Sequence, residues 1–386
     1  MKIAYVLNSS DPYGGASKSF MTLLQGVVAQ GHQAIVVLPD CGALKEKIDA
    51  LGVNSVVLNY RPNTYPYETT IKDYFLWLPR LIARRYVNYR AYRKLTELIC
   101  DVDIVHTNVS VIDIGARAAA YCGIPHVYHF REYGDLDFSY RYFPSKAVFL
   151  KSVTYSICIT KGIQLYHKQF DSFGSIVIYN GINHRSDMIP VPDEKKFEYL
   201  LFAGRIEPAK GLDQLIEAYE RSGIHTPLWI AGSAPKEMHS YINSLKSTIH
   251  KYCLDDRIVF LGSRRDVVSL MRNATAVVVP SVFEAFGRVM AEAEFQGCLV
   301  IGRDTGGTHE QFENGVKLCG REIGLRYKTV DELASRLKEV TTHCPEYYYE
   351  MKQNAFNVVN TLYSIEKSVE SVLSFYENIL NNQNKQ

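Results

Sequence analysis

Short, continuous runs of apolar and β-branched residues recur along this chain, separated by stretches of helical periodicity. In the first half the runs lie at 3–7, 34–38, 55–58, 104–107, 126–129, 156–159 and 176–179. A polar, proline-bearing stretch follows at 183–196, and the series restarts at 199–203, 228–231, 258–261, 276–279 and 299–302. Runs that are apolar at every position, not at alternate ones, belong to strands buried on both faces, and helices between them make the sheet parallel. Two such series divided by a linker predict an α/β protein of two Rossmann-like domains. Ligands then bind beyond the carboxyl ends of the strands, in the cleft where the domains face each other.

A length of 386 residues accommodates that plan,. We expect one domain at 1–185, a second at 186–362, and a C-terminal helix returning to the first domain from 363 onward, with a polar tail at 381–386. After Gly14 and Gly15, residues Ala16, Phe20, Leu23, Leu24, Val27 and Val28 fall at the spacing of a one-sided apolar helix,. Lys+Arg 43 against Asp+Glu 41 leaves a net charge of +2. A dedicated nucleic-acid binder needs a basic surplus to release counterions, so none is expected. The eight cysteines are scattered without a CxxC pair and read as buried thiols in a reducing compartment,. The opening MKIAYVLNSS lacks a signal-peptide core, and no apolar run reaches the ~18 residues that span a bilayer,. The expected location is the cytoplasm.

Residues 59–100 break the regularity. They open with Pro62, Pro66 and several aromatic residues, and from 76 to 94 Arg80, Arg84, Arg85, Arg90, Arg93 and Lys94 interleave with aromatic and aliphatic residues and no acid. Such a stretch suits an anionic membrane surface, each basic residue near it contributing about 1 kcal/mol. It equally suits a core helix with a solvated basic face, and composition does not choose between them.

Several familiar chemistries are excluded. There is no GxxxxGK[ST] and no GxGxxG after the first strand, which argues against a P-loop enzyme and an NAD enzyme,. His309-Glu310 begins a zinc-protease motif, but Glu313 stands where its second histidine belongs,. Asp101 with Asp103, and Asp135 with Asp137, have metal-binding spacing, but the first pair runs straight into a buried strand, where aspartate reads as a turn residue.

Five features instead fall at strand-to-helix junctions. Gly14-Gly15 follows the first strand, where exposed helix amides favour an anion. Gly204-Arg205 through Lys210-Gly211 follows the first strand of the second series and sets two cations where they would clamp a diphosphate. Glu284-Ala-Phe286-Gly287 through Glu292 offers two carboxylates to a diol, and the Phe286 and Gly287 amides to oxygens. Gly306-Gly307 through Glu310 makes another glycine turn. His129 ends a first-domain strand at the expected cleft.

This ordered set, with Asn180-Gly181-Ile182-Asn183 at the domain junction, resembles the retaining glycosyltransferases of glycosyltransferase family 4, also called group 1, which have the GT-B fold. The likeness covers roughly 176–328 and is looser before it. The segments 59–100 and 133–150 match nothing in it and would be acceptor-side. The resemblance implies an N-terminal acceptor-side domain and a C-terminal domain for a nucleotide-diphosphate sugar, UDP favoured. Arg205 and Lys210 would stabilise the leaving diphosphate. Glu284, Phe286 and Gly287 would hold hydroxyls of the transferred hexose and Glu292 the ribose, Gly204 and Gly211 would leave room for the diphosphate, and Gly307 would belong to the donor-binding site. Gly14 and Gly15 would approach the phosphates from the first domain, and His129 the donor sugar. It implies no cofactor, no metal and no protein nucleophile at the paired glutamates. The implied reaction is hexose transfer to a glycan or lipid-linked acceptor in bacterial surface-polysaccharide synthesis, peripherally at the inner membrane face. A GT-B sugar-nucleotide epimerase and a non-catalytic sugar-nucleotide binder share these motifs and remain open alternatives. Cys298 departs from the family's usual proline without removing a ligand.

Overall fold

The computed structural model describes the chain except residues 67–70, 135, 137–139, 168–173, 188–197, 236–237 and 384–386. The Asp135 and Asp137 pair and most of the 183–196 stretch therefore lie outside the described residues. Two compact units make up the chain: Met1–Gly181 with Ile365–Gln386, and Ile182–Ser364.

The first unit is built on β1 (Lys2–Val6), β2 (Gln33–Leu38), β3 (Asn54–Val57), β4 (Thr64–Pro66), β5 (Ile104–Thr107), β6 (His126–Phe130), β7 (Tyr140–Tyr142), β8 (Tyr155–Cys158) and β9 (Ser175–Val177). Its helices are α1 (Gly15–Ala29), α2 (Ala43–Ala50), α3 (Ile71–Ile99), α4 (Ile114–Cys122), α5 (Lys146–Lys151) and α6 (Lys161–Tyr166). Seven strands form a parallel sheet in the order β3-β2-β1-β5-β6-β8-β9, with Ile3 opposite both Ala34 and Ile104. The strands are apolar throughout because both faces are covered. Ile3 and Tyr5 pack with Phe20, Leu24, Val372 and Tyr376, whereas Ala4 and Val6 pack with Ala91, Leu95 and Ala118. Val369, Val372, Leu373, Tyr376 and Ile379, three and four residues apart, seat the C-terminal helix Ile365–Gln383 in this core,. That helix continues to Gln383, so the first half of the stretch expected as a polar tail, 381–383, is helical.

The second unit has β10 (Leu200–Ala203), β11 (Leu228–Ala231), β12 (Ile258–Gly262), β13 (Ala276–Val279), β14 (Val300–Arg303) and β15 (Leu325–Tyr327). Its helices are α7 (Leu212–Ser222), α8 (His239–Lys251), α9 (Val267–Asn273), α10 (Arg288–Phe295), α11 (Gly306–Cys319), α12 (Val330–Thr342) and α13 (Tyr349–Leu362). The parallel order β12-β11-β10-β13-β14-β15 has the chain run outward from β10 and then restart at β13 on its other side. The loops after β10 and β13 therefore leave in opposite directions and open a crevice at their carboxyl ends. β15 and the antiparallel pair β4–β7 are three residues each, too short to carry a periodic signal.

One sequence expectation needs correcting. Cys41, Cys100, Cys253 and Cys344 are exposed, and only Cys158 and Cys298 are buried. Cys100 and Cys253 lie just past the ends of α3 and α8, not on buried strands. Asp101 and Asp103 hold the start of β1, Asp101 through the Lys2 ammonium and Asp103 by accepting from the Lys2 amide at 2.6 Å.

Candidate active site

In the second unit, loops leave the carboxyl ends of β10, β13 and β14, which are adjacent in the sheet. Hydrogen bonds sew them together. The Val282 amide donates to Ala209 O (3.0 Å), the Thr305 hydroxyl to Val282 O (3.1 Å) and the Gly307 amide to Glu284 O (2.7 Å). Gly307 permits that approach, since a Cβ there would stand 2.5 Å from Phe286 Cα. Gly287 sits at φ +86°, the left-handed region that glycine tolerates, and starts α10,. The Gln311 side-chain amide donates to the carbonyls of Phe286 and Gly287 and fixes the turn.

This seam brings Lys210 to Glu284 across 74 residues of sequence: Lys210 Nζ donates to Glu284 Oε1 at 2.5 Å. The Ser281 hydroxyl donates to the same oxygen at 2.6 Å. Both charged side chains keep about a fifth of their surface exposed, 21% and 17%. The carboxylate therefore orients a lysine cation at the crevice, where an incoming anion can compete for it. Nearby, burial would raise the Asp304 carboxyl, but the His309 hydrogen bond and the charges of His309, Arg326 and Lys328 outweigh it and hold the carboxyl below the usual range.

The structure thus gathers Lys210, Glu284, Phe286, Gly287 and Gly307. Arg205 and Glu292 are engaged locally instead. Arg205 is largely exposed and meets Glu207 at 3.1 Å. Glu292 accepts from Arg288, one turn earlier on α10, at 3.1 and 3.2 Å. Gly204 directly follows β10, its amide donating to Ala231 O at 3.0 Å.

In the first unit, Gly14 and Gly15 are exposed at the start of α1, with no side-chain cap on its first amides. His129, by contrast, is buried at the end of β6 among polar groups. Its Nδ1 lies 3.2 Å from Arg131 Nη2 and 3.3 Å from His106 Nε2. Arg131 also donates to Asn108 Oδ1 (3.0 Å) and Asn180 Oδ1 (2.7 Å). His106 Nδ1 meets the Tyr376 hydroxyl at 2.6 Å. Burial, reinforced by the Arg131 charge, pushes both imidazoles well below their ordinary range and keeps them neutral,. Among the described residues His129 Nε2 has no partner. Sequence reasoning quoted Arg131 and Asn180 within their motifs but gave them no role, and it missed Asn108, His106 and Tyr376. Only the alternation along β5 and β6, which turns 106 and 129 the same way, hinted at the cluster.

Known proteins resemble both halves. Residues 13–186 match the family model described as Glycosyltransferase Family 4, and residues 185–358 the one described as Glycosyl transferases group 1. An uncharacterised glycosyltransferase of Methanocaldococcus jannaschii is 29% identical over 347 residues, 82% of this chain and 84% of that protein. The gpi3 subunit of phosphatidylinositol N-acetylglucosaminyltransferase from Schizosaccharomyces pombe is 25% identical over 391 residues, 96% of this chain and 79% of its own. Among solved structures, Anabaena HepE in complex with UDP aligns at a TM-score of 0.79 and 21% identity, covering 98% of this chain and 100% of that one. At that identity the likeness speaks for the fold alone.

Proposed function

Because the chain belongs to the GT-B glycosyltransferases of family 4 and group 1, we propose that it is a retaining hexosyltransferase. It would move a hexose from a UDP-sugar to a glycan or lipid-linked acceptor in bacterial surface-polysaccharide synthesis. The observation that supports this most is the Lys210–Glu284–Ser281 cluster at the carboxyl ends of β10 and β13. HepE has been solved with UDP and with UDP-glucose, which favours uridine as the base here.

In this reading the diphosphate draws Lys210 from Glu284 and is met by Arg205, whose exposed side chain is free to swing from Glu207. Charge develops on the diphosphate as the bond from its oxygen to the anomeric carbon breaks, so cations already held there stabilise the transition state more than the ground state. Glu284, released from Lys210, accepts hydrogen bonds from sugar hydroxyls, and the Phe286 and Gly287 amides add donors. Glu292 would turn from Arg288 to the ribose diol. His129 presents Nε2–H to the sugar, and Gly14 and Gly15 offer the first amides of α1 to phosphate oxygens. The acceptor oxygen bonds to the anomeric carbon on the face the diphosphate leaves, and its proton passes to the departing phosphate oxygen, which retains configuration. The acceptor would bring the enzyme peripherally to the cytoplasmic face of a membrane. Among the described residues no helix is long and apolar enough to cross one.

Melting curves with UDP, GDP and ADP test the donor assignment, since a ligand held only by the folded chain raises its melting temperature. UDP should give the largest shift, and Lys210→Ala should abolish it. Equal shifts with all three, or none, would remove the uridine assignment. Incubation with UDP-sugar and no acceptor should yield no isomerised sugar; an isomer would point to an epimerase.

A further inference from the structure

We infer that the outward face of α3 is a membrane-interface surface that seats on anionic lipid. One side of α3 is committed to the first unit's core, through Leu81, Ala91, Leu95 and Ile99. A helix with its apolar stripe so placed normally turns polar residues outward. Here Phe75, Leu78, Ile82, Tyr86 and Tyr89, three and four residues apart, are exposed, Phe75 by 78% and Ile82 and Tyr86 by 62% each. The solvent side thus carries a second apolar stripe, of the kind that marks an interaction surface.

Cations flank it. Arg80, Arg85, Arg90, Arg93 and Lys94 are exposed, and the sequence from Tyr74 to Thr96 holds no acid. Arg84 does not belong with them, for it is half-buried and donates to Thr64 O at 2.9 Å, whereas Arg85 stays exposed while lying 4.8 Å over the Phe143 ring. The two sequence readings of this segment therefore describe opposite sides of one helix.

The charge selects the occupant. A second copy meeting this face about a two-fold axis would set the same cations against each other. An anionic bilayer satisfies both parts, taking the apolar side chains at the acyl boundary while phosphates neutralise the guanidinium and ammonium groups. This deepens the reading of a membrane-borne acceptor yet rests on α3 alone, so each can fail without the other.

Sedimentation of the full chain with vesicles tests it. The parent should pellet with equal parts phosphatidylcholine and phosphatidylglycerol, and poorly with phosphatidylcholine alone. Replacing Arg85, Arg90, Arg93 and Lys94 together by Gln should weaken binding between about 10²- and 10³-fold, at roughly five-fold per charge. Ile82→Ser with Tyr86→Ser should also weaken it, and Arg84→Gln should leave it unchanged. The UDP-induced rise in melting temperature should persist in every variant, reporting an intact fold. Equal pelleting by the parent and the four-Gln variant, or no preference for anionic vesicles, would overturn the inference. So would a concentration-dependent dimer that the Ser variant abolishes in a protein indifferent to vesicles. Vesicle binding without any UDP shift would remove the donor assignment and leave this one standing.

Discussion

Nη2 of Arg131 lies 3.2 Å from Nδ1 of His129, and both side chains are buried. Arginine only donates, so Nδ1 must accept, and the neutral imidazole keeps its proton on Nε2. His106, facing the same nitrogen, then avoids opposing lone pairs only when protonated at its own Nε2, which leaves Nδ1 to accept from Tyr376. A hydroxyl on the C-terminal helix thereby helps fix which proton a histidine on β6 presents.

Nitrogen NMR should accordingly report His129 as the neutral Nε2–H tautomer from pH 6 to 8, and kcat/KM should show no inflection from this residue near pH 6.5. Tyr376→Phe should blur the tautomer signature and cost roughly ten-fold in kcat/KM, the worth of one oriented hydrogen bond. A normal histidine titration at position 129 would refute the arrangement.

Removing either partner of the Lys210–Glu284 pair should cost far more. Lys210→Ala and Glu284→Ala should each lower kcat by about 10²- to 10³-fold, the usual loss for a group aimed at developing charge or at the substrate. Both side chains reach solvent, so the fold should survive, which circular dichroism and melting curves would check. A rate within two-fold of the parent for either variant would sink the donor-site assignment.

Acid should destabilise the first unit. His106 and His129 have folded-state pKa values well below the ordinary 6.5, so below about that pH the unfolded chain binds protons that the folded chain refuses,. The stabilisation is complete above pH 6.5 and declines as pH falls, by at most about 1.4 kcal/mol per pH unit for each histidine. Melting temperatures between pH 5 and 8 measure it, and His106→Gln should flatten the slope.

Glu294, on α10 in the second unit, works in the opposite sense. Its carboxyl is fully buried, neither oxygen has a partner among the described residues, and burial raises its pKa well above 4.5. The folded chain therefore holds a proton that the unfolded chain has lost, and stability falls as pH rises past 4.5. Glu294→Leu should stabilise the protein by about 1–3 kcal/mol at pH 8, with a smaller gain at pH 5, read from denaturant midpoints. An unchanged midpoint at pH 8 would show that the carboxyl finds a partner.

Much of this protein was legible before its structure. Strands buried on both faces write unbroken apolar runs, so Ile3–Val6 and Ala276–Val279 announced a parallel α/β fold from local pattern alone. The glycine turns followed, because Gly307 and Gly287 sit where only a residue without a side chain fits. β15 and the β4–β7 pair were illegible, being three residues each and, unlike the equally short β9, not set in a longer apolar run.

Sequence by itself determined the periodicities, and with them which residues end strands and open helices, since those depend on neighbours a few positions apart. Tertiary structure alone decided that Lys210 meets Glu284, that Arg205 and Glu292 sit with local partners, and that Tyr376 reaches His106. The reason is the order of strands: β10 lies beside β13 only because the chain restarts there, and no local pattern records which distant strand becomes a neighbour.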